Sequence, residues 1–122
     1  MLKKITILLS LFFLFSSPAL AIETTGTFRI MNEKNETIET KTVSFHEGET
    51  LLEVTRRAFI IEESNGNILS INGIRTVPKS NLHWAAFVNG NFVNLGLDEV
   101  IVYANDDVLW ALKNWDDEEI LK

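Results

Sequence analysis

The stretch Val43-Ser44-Phe45-His46-Glu47-Gly48-Glu49-Thr50-Leu51-Leu52-Glu53-Val54-Thr55-Arg56-Arg57-Ala58-Phe59 decides the fold, because the hydrophobic spacing changes within it. Before it, Ile38, Val43 and Phe45 are interleaved with threonines and charges, the pattern of an exposed strand over residues 37–45. From Leu51 onward, Leu51, Leu52, Thr55, Ala58 and Phe59 recur at helical spacing while Glu53, Arg56 and Arg57 face out. Gly48 supplies the turn between the two, and either Glu49 or Thr50 suits an electropositive first helical turn. The spacing predicts a helix over 50–61, ended by Ser64-Asn65-Gly66-Asn67.

Working outward, Thr27, Phe28 and Ile30 mark a strand over 25–31, and Asn32-Glu33-Lys34-Asn35 turns it into the strand at 37–45. On the other side lies a short strand over 68–74, whose Asn72-Gly73 pair serves as a bulge or a turn. A loop over 75–82 contains Pro78. A strand over 83–88 then places Trp84, Ala86 and Val88 on one face and Ala85 and Phe87 on the other. Asn89-Gly90 is the strongest hairpin signal in the chain and returns into a brief strand at 91–93. A short strand over 100–103, the turn Asn105-Asp106-Asp107 and a strand over 108–115 follow. The four acids Asp116 to Glu119 read as a solvated tail. This order predicts an α+β domain: a β-grasp-like mixed sheet of four to six strands with one helix packed across it.

At the N-terminus, Lys3 and Lys4 precede an apolar run from Ile5 to Phe15, then Ser16-Ser17-Pro18 and the small residues around Ala19-Leu20-Ala21. This is the layout of a cleavable export signal over 1–21, leaving a single domain over 22–122. The apolar run is too short to cross a bilayer, and with no cysteine there is no lipid attachment point, so no stable membrane anchor is expected. The expected location is periplasmic or secreted. The net charge is −6, and loss of Lys3 and Lys4 makes the exported part more acidic still, which argues against nucleic acid as a partner. Stability must come from packing, because no disulfide can form.

The residues offer no catalytic constellation, and a non-enzymatic protein is expected. Thiol chemistry is excluded. His46 and His83 fall into no metal-binding spacing, and Asp98, Glu99, Asp106 and Asp107 lack the alternation and glycine of a calcium loop. Those acids read as turn formers that keep the surface hydrated. Ser44, near His46, has no nucleophile-elbow context, and no phosphate-binding glycine loop occurs. The Asn35-Glu36-Thr37 sequon reads as chance. What remains is a set of aromatics and amides near loop ends. Trp84 and Trp110 belong by alternation on the helix-facing side, whereas Phe92 and Trp115 are harder to bury and suit a binding face.

Glu47-Gly48-Glu49-Thr50-Leu51-Leu52, Ile71-Asn72-Gly73-Ile74, Trp84 with Phe87-Val88-Asn89-Gly90, then Gly96, and Asp107-Val108-Leu109-Trp110 form an ordered set. In that order and spacing the chain resembles the transcobalamin-like C-terminal domain family, also catalogued as domain of unknown function 4430, over residues 25–115. The resemblance implies a β-grasp fold and a binding module. In vitamin B12 carriers such a domain closes over one face of the corrin ring while a separate helical domain holds the other. Carried over, it implies a ligand side on the 84–94 hairpin and the 95–99 loop, used through the 89–97 loop side and including Trp84, Phe87, Asn89, Gly90, Phe92, Gly96 and Leu97, with no intrinsic cofactor and cobalamin as candidate ligand. The chain departs from the family pattern at Asn105-Asp106-Asp107, where an acid-Gly turn is usual, and at Ala86-Phe87, where an aromatic pair is usual. The partner is therefore expected to be a corrinoid-like small molecule or, alternatively, an envelope or secreted protein that adds to an exposed sheet edge.

Overall fold

In a computed structural model, residues 22–116 are described. The export signal expected over 1–21 and the acidic run beyond Asp116 lie outside them. The chain opens with an antiparallel hairpin, β1 (Glu23–Met31) and β2 (Thr37–His46). Its turn is held by the Asn32 side-chain oxygen, which accepts from the amides of Lys34 and Glu36 at 2.9 and 3.0 Å. Helix α1 (Leu51–Ala58) follows. A small antiparallel sheet comes next: β3 (Ile61–Ser64), β4 (Asn67–Ile71) and β5 (Ile74–Arg75). Beyond a single turn of 3₁₀ helix at Pro78–Ser80 come β6 (Leu82–Val88), β7 (Asn91–Phe92) and β8 (Asp107–Asn114).

The main sheet has the order β2-β1-β8-β6-β7. β8 enters the middle, parallel to β1 and antiparallel to β6, so the first and last strands of the fold are neighbours. This is the β-grasp arrangement, an α+β sheet with one helix across it. Period-2 alternation explains the layering. Phe28 and Ile30 of β1, Val43 and Phe45 of β2, Trp84 and Ala86 of β6, and Val108, Trp110 and Leu112 of β8 are buried against α1. The helix returns Leu51, Val54, Thr55 and Ala58. At the centre, Trp110 is 1% exposed and its indole N–H donates to the hydroxyl of fully buried Thr55 at 3.2 Å, so the one polar atom of the ring is satisfied inside the core.

Helix α1 starts with a reciprocal capping box between Thr50 and Glu53. Two further first-turn amides are satisfied from a distance: Leu51 donates to the Val100 carbonyl at 2.7 Å and Leu52 to the Leu97 carbonyl at 3.1 Å. The 93–102 segment is thereby stitched across the helix N-terminus. Outside, Glu49 accepts from Arg57 at 3.0 Å, and that hydrogen bond holds its carboxyl below the usual carboxylate range.

Three expectations change. The helix stops at Ala58 rather than at 61, because Phe59 is already extended, and Asn72 brackets Ile60, its side chain accepting the Ile60 amide at 3.0 Å. The Asn72 amide donates to the Ile60 carbonyl at 2.7 Å. The Ser64-Asn67 stretch is accordingly a hairpin turn, not a helix end. The strand expected over 100–103 is a single bridge between Thr50 and Ile101, because that segment lies on the helix N-terminus with no sheet strand beside it. The three Asn-Gly pairs at 65–66, 72–73 and 89–90 all take positive φ at both residues, the type I′ geometry that matches strand twist. Asn72-Gly73 is therefore a turn.

Two tight features fix where β8 enters. Asp106 is 8% exposed with no cation beside it among the described residues. Its carboxylate accepts from the Asn89 side-chain amide at 2.9 Å and the Tyr103 amide at 2.8 Å, and its carbonyl accepts from Thr27 at 2.9 Å. The acid expected to be a hydrated turn former is a buried junction. β1 passes this turn at Gly26, where a Cβ would lie 2.9 Å from the Asp106 carbonyl oxygen and 3.2 Å from the Phe45 ring. Asp106→Ala strands two donors and should lower unfolding free energy by about 2–4 kcal/mol, at roughly 1–3 per unsatisfied group. Gly26→Ala should cost about 1–3 kcal/mol through overpacking. Urea unfolding checks both; an unchanged midpoint in either variant refutes the corresponding contact's importance.

Candidate ligand groove

Over His83–Ala85, β6 has no strand partner on the side away from β8 among the described residues, since β7 pairs only with Phe87 and Val88. A groove of about 460 Å³ runs along this open margin, between β4 and the segment 92–97. Its apolar wall is Trp84, Phe92, Val93, Leu95, Leu97 and Trp115. Trp84 is held by its indole N–H, which donates to the Ile74 carbonyl at 3.0 Å, so the small sheet positions the ring. Trp115 donates to the His83 carbonyl at 3.3 Å, and its ring meets those of His83 and Phe92 edge-on at 5.6 and 6.0 Å. Phe92 in turn packs on Phe87 at 5.7 Å. Apolar surface remains open to solvent here: Leu95 is 63% exposed and Trp115 40%.

Asn67, Thr76, Asn81 and His83 contribute to the rim of the groove, and among the described residues no Asp, Glu, Lys or Arg lines it. Asn81 is left-handed at φ 54° and orders the lower rim: its carbonyl accepts the Trp115 amide at 2.9 Å, and its side chain meets His83 at 3.1 Å. Such a site favours an uncharged molecule with apolar body and amide or hydroxyl periphery. No cluster of three or more His, Cys, Asp or Glu is placed to hold a metal ion among the described residues.

Of the residues read from sequence as the ligand side, Trp84, Phe92, Gly96 and Leu97 share this groove. Phe87 and Gly90 do not; they line a second concavity on the helix-free face of the sheet. Asn89 is exposed at the hairpin tip, but its side chain is committed inward, donating to Asp106 and accepting the Asp107 amide at 2.8 Å. Gly96 sits where a Cβ would press on the Asp98 and Glu99 carboxylates at 2.9 and 3.0 Å. Val93 and Leu95 fall within the 89–97 loop side expected from sequence, whereas Asn81 and His83 were not expected there.

The fold is similar to part of haptocorrin in complex with Cbi, with TM-score 0.61 and 19% identity, covering 77% of this chain and 26% of that one. This chain thus spans about a quarter of that protein's length. It is also similar to a candidate metal-binding protein from Ruminococcus gnavus ATCC 29149, with TM-score 0.58 and 17% identity, covering 75% of this chain and 97% of that one. No curated protein matches at the sequence level. A family model described as a domain of unknown function (DUF4430) matches residues 48–114, from the turn before α1 to the last residue of β8, and the chain belongs to that family.

Proposed function

We propose that this chain is an exported, non-enzymatic binding module whose groove along β6 receives an uncharged, amide-bearing small molecule of corrinoid type. The observation that carries the reading is the pairing of solvent-open Leu95 and Trp115 with a rim that holds no Asp, Glu, Lys or Arg among the described residues. Burial of open apolar surface supplies affinity at roughly 25 cal/mol per Å², and neutral Asn and Thr groups can satisfy peripheral amides without desolvating a charge. The haptocorrin likeness supports the ligand class, because that relative of the fold is seen with Cbi. A groove of about 460 Å³ receives one edge of so large a ring, which fits a domain acting as one wall of a site.

Titration of the protein with cyanocobalamin, whose overall charge is zero, should quench tryptophan emission saturably and shift the corrin absorption spectrum. Leu95→Asp, at an exposed position, should weaken binding at least tenfold, or about 1.4 kcal/mol, without moving the unfolding midpoint. It also controls for light absorbed by the ligand. Absence of any change at about millimolar ligand, equivalent to only ~4 kcal/mol, would sink the corrinoid reading.

A second reading rests on β2, the outer strand of the sheet. The Glu47 amide donates to Ile22 at 3.0 Å, which sets the phase of the ladder so that Thr40 and Thr42 turn their backbone groups away from β1. Arg57 and Glu49 cover the edge groups of Ser44 and His46, leaving Thr40 and Thr42 beside exposed Ile38. A partner strand can add there. Thr40→Pro removes an outward N–H while sparing the β1 pairing, so capture of an envelope partner should be lost with little loss of stability. Equal recovery by wild type and variant excludes edge pairing.

A further inference from the structure

The helix-free face of the main sheet carries its own concavity, about 410 Å³, across β1, β8 and β6. It differs in kind from the groove. Its middle is apolar, because Leu109 lies between Arg29 of β1 and Phe87 of β6 in the sheet register, with Met31 one pleat further along. Its ends are charged. At one end Arg29 binds Asp107 through two parallel hydrogen bonds of 3.1 Å from Nε and Nη2, leaving Nη1 outside that pair. At the other end Lys113 reaches Asn35 in the first turn, one of the three donors of its ammonium being used. Asp107 offsets one of the two cations, so the lining carries an excess of one positive charge in a chain whose net charge is −6.

We infer that this face binds a small organic anion with an apolar body, its acidic group held at Lys113 and the outer edge of Arg29 and its body lying over Leu109, Phe87 and Met31. The charge pattern selects the occupant. In an acidic protein an anion is repelled from most of the surface, and a local cationic excess beside apolar wall is the place where it is not. Lys113 supplies charge-assisted hydrogen bonds to a carboxylate, while the Arg29–Asp107 pair keeps the guanidinium fixed in orientation. A cation meets the same apolar wall with the opposite electrostatic sign. The volume is within the usual range for small-molecule sites. This concavity and the groove share no lining residue, although Phe87 of one packs on Phe92 of the other at 5.7 Å.

The test expresses the full chain, purifies it as processed, and titrates it by calorimetry with dodecanoate and with dodecyltrimethylammonium, both below micelle-forming concentrations. Dodecanoate should bind saturably and at least tenfold more tightly than the cation. Lys113→Met should weaken dodecanoate at least fivefold with an unchanged unfolding midpoint, and Leu95→Asp in the groove should leave it unchanged. Three results overturn the inference: no saturable dodecanoate binding, equal affinity for anion and cation, or binding that survives Lys113→Met and disappears in Leu95→Asp. If Lys113→Met shifts the midpoint, Lys113→Arg decides: it restores the anion preference if charge at this position is what matters, and a failure to restore it refutes the site.

Discussion

The structure depends on the Asp106 junction. One buried carboxylate gathers the amide of Tyr103 and the side chain of Asn89, and its own carbonyl takes the amide of Thr27. Those three groups come from the loop before β8, the tip of the β6–β7 hairpin and the first strand. Together they fix the point at which β8 threads between β1 and β6, and with it the parallel central pair on which the core rests. A buried carboxylate is costly unless its oxygens are bonded, and here both are. Gly26 is the companion requirement, since the first strand can pass the junction only without a Cβ.

From that junction the two candidate sites follow as opposite consequences of one sheet. β6 is paired with β8 along its whole length on one side, but on the other it meets β7 only at Phe87 and Val88 and Val77 only at Leu82, so among the described residues its margin over His83–Ala85 is open to the groove. The segment that forms the far wall is pinned by the helix N-terminus, which takes the Leu97 and Val100 carbonyls for its own unsatisfied amides. Capping the helix and shaping the groove are thus the same set of bonds. On the other face the pleat brings Arg29, Leu109 and Phe87 side by side, and there the charges absent from the groove appear. The two concavities therefore differ in charge: among the described residues no Asp, Glu, Lys or Arg lines the open edge, whereas Arg29, Lys113 and Asp107 line the helix-free face.

Much of the architecture was legible because it rests on local periodicity. The change of spacing after Gly48, the alternation along β6 and β8, and the Asn89-Gly90 turn each predict an element from neighbouring residues alone. The helix end was not legible: Ala58-Phe59-Ile60-Ile61 continues a helical apolar pattern, and what stops it is Asn72, twelve residues beyond Ile60. Asn65-Gly66 was misread for the same reason, a turn signal assigned to the wrong neighbour. In the groove, Trp84, Phe92, Gly96 and Leu97 were found through their place in a recurring motif. Asn81 and His83 were not, because Asn81 reaches it from a loop whose path depends on its long-range bond to Trp115, and His83 faces it only through its contacts with Asn81 and Trp115.

The sequence by itself determined most of the elements and their class: strand, strand, helix, a short strand, the β6–β7 hairpin and a last strand, with Trp84 and Trp110 facing inward. Those properties follow from patterns with periods of two and 3.6 residues, which are local. Only the tertiary structure decided that Asp106 is buried rather than hydrated, that Asn89 serves the fold and Leu95 the surface, and that Phe87 and Phe92 stand at different sites. The reason is the parallel pairing of residues about 80 positions apart, Thr27 with Asp107. No window of sequence contains both strands, and every contact their meeting creates is invisible until the chain has closed.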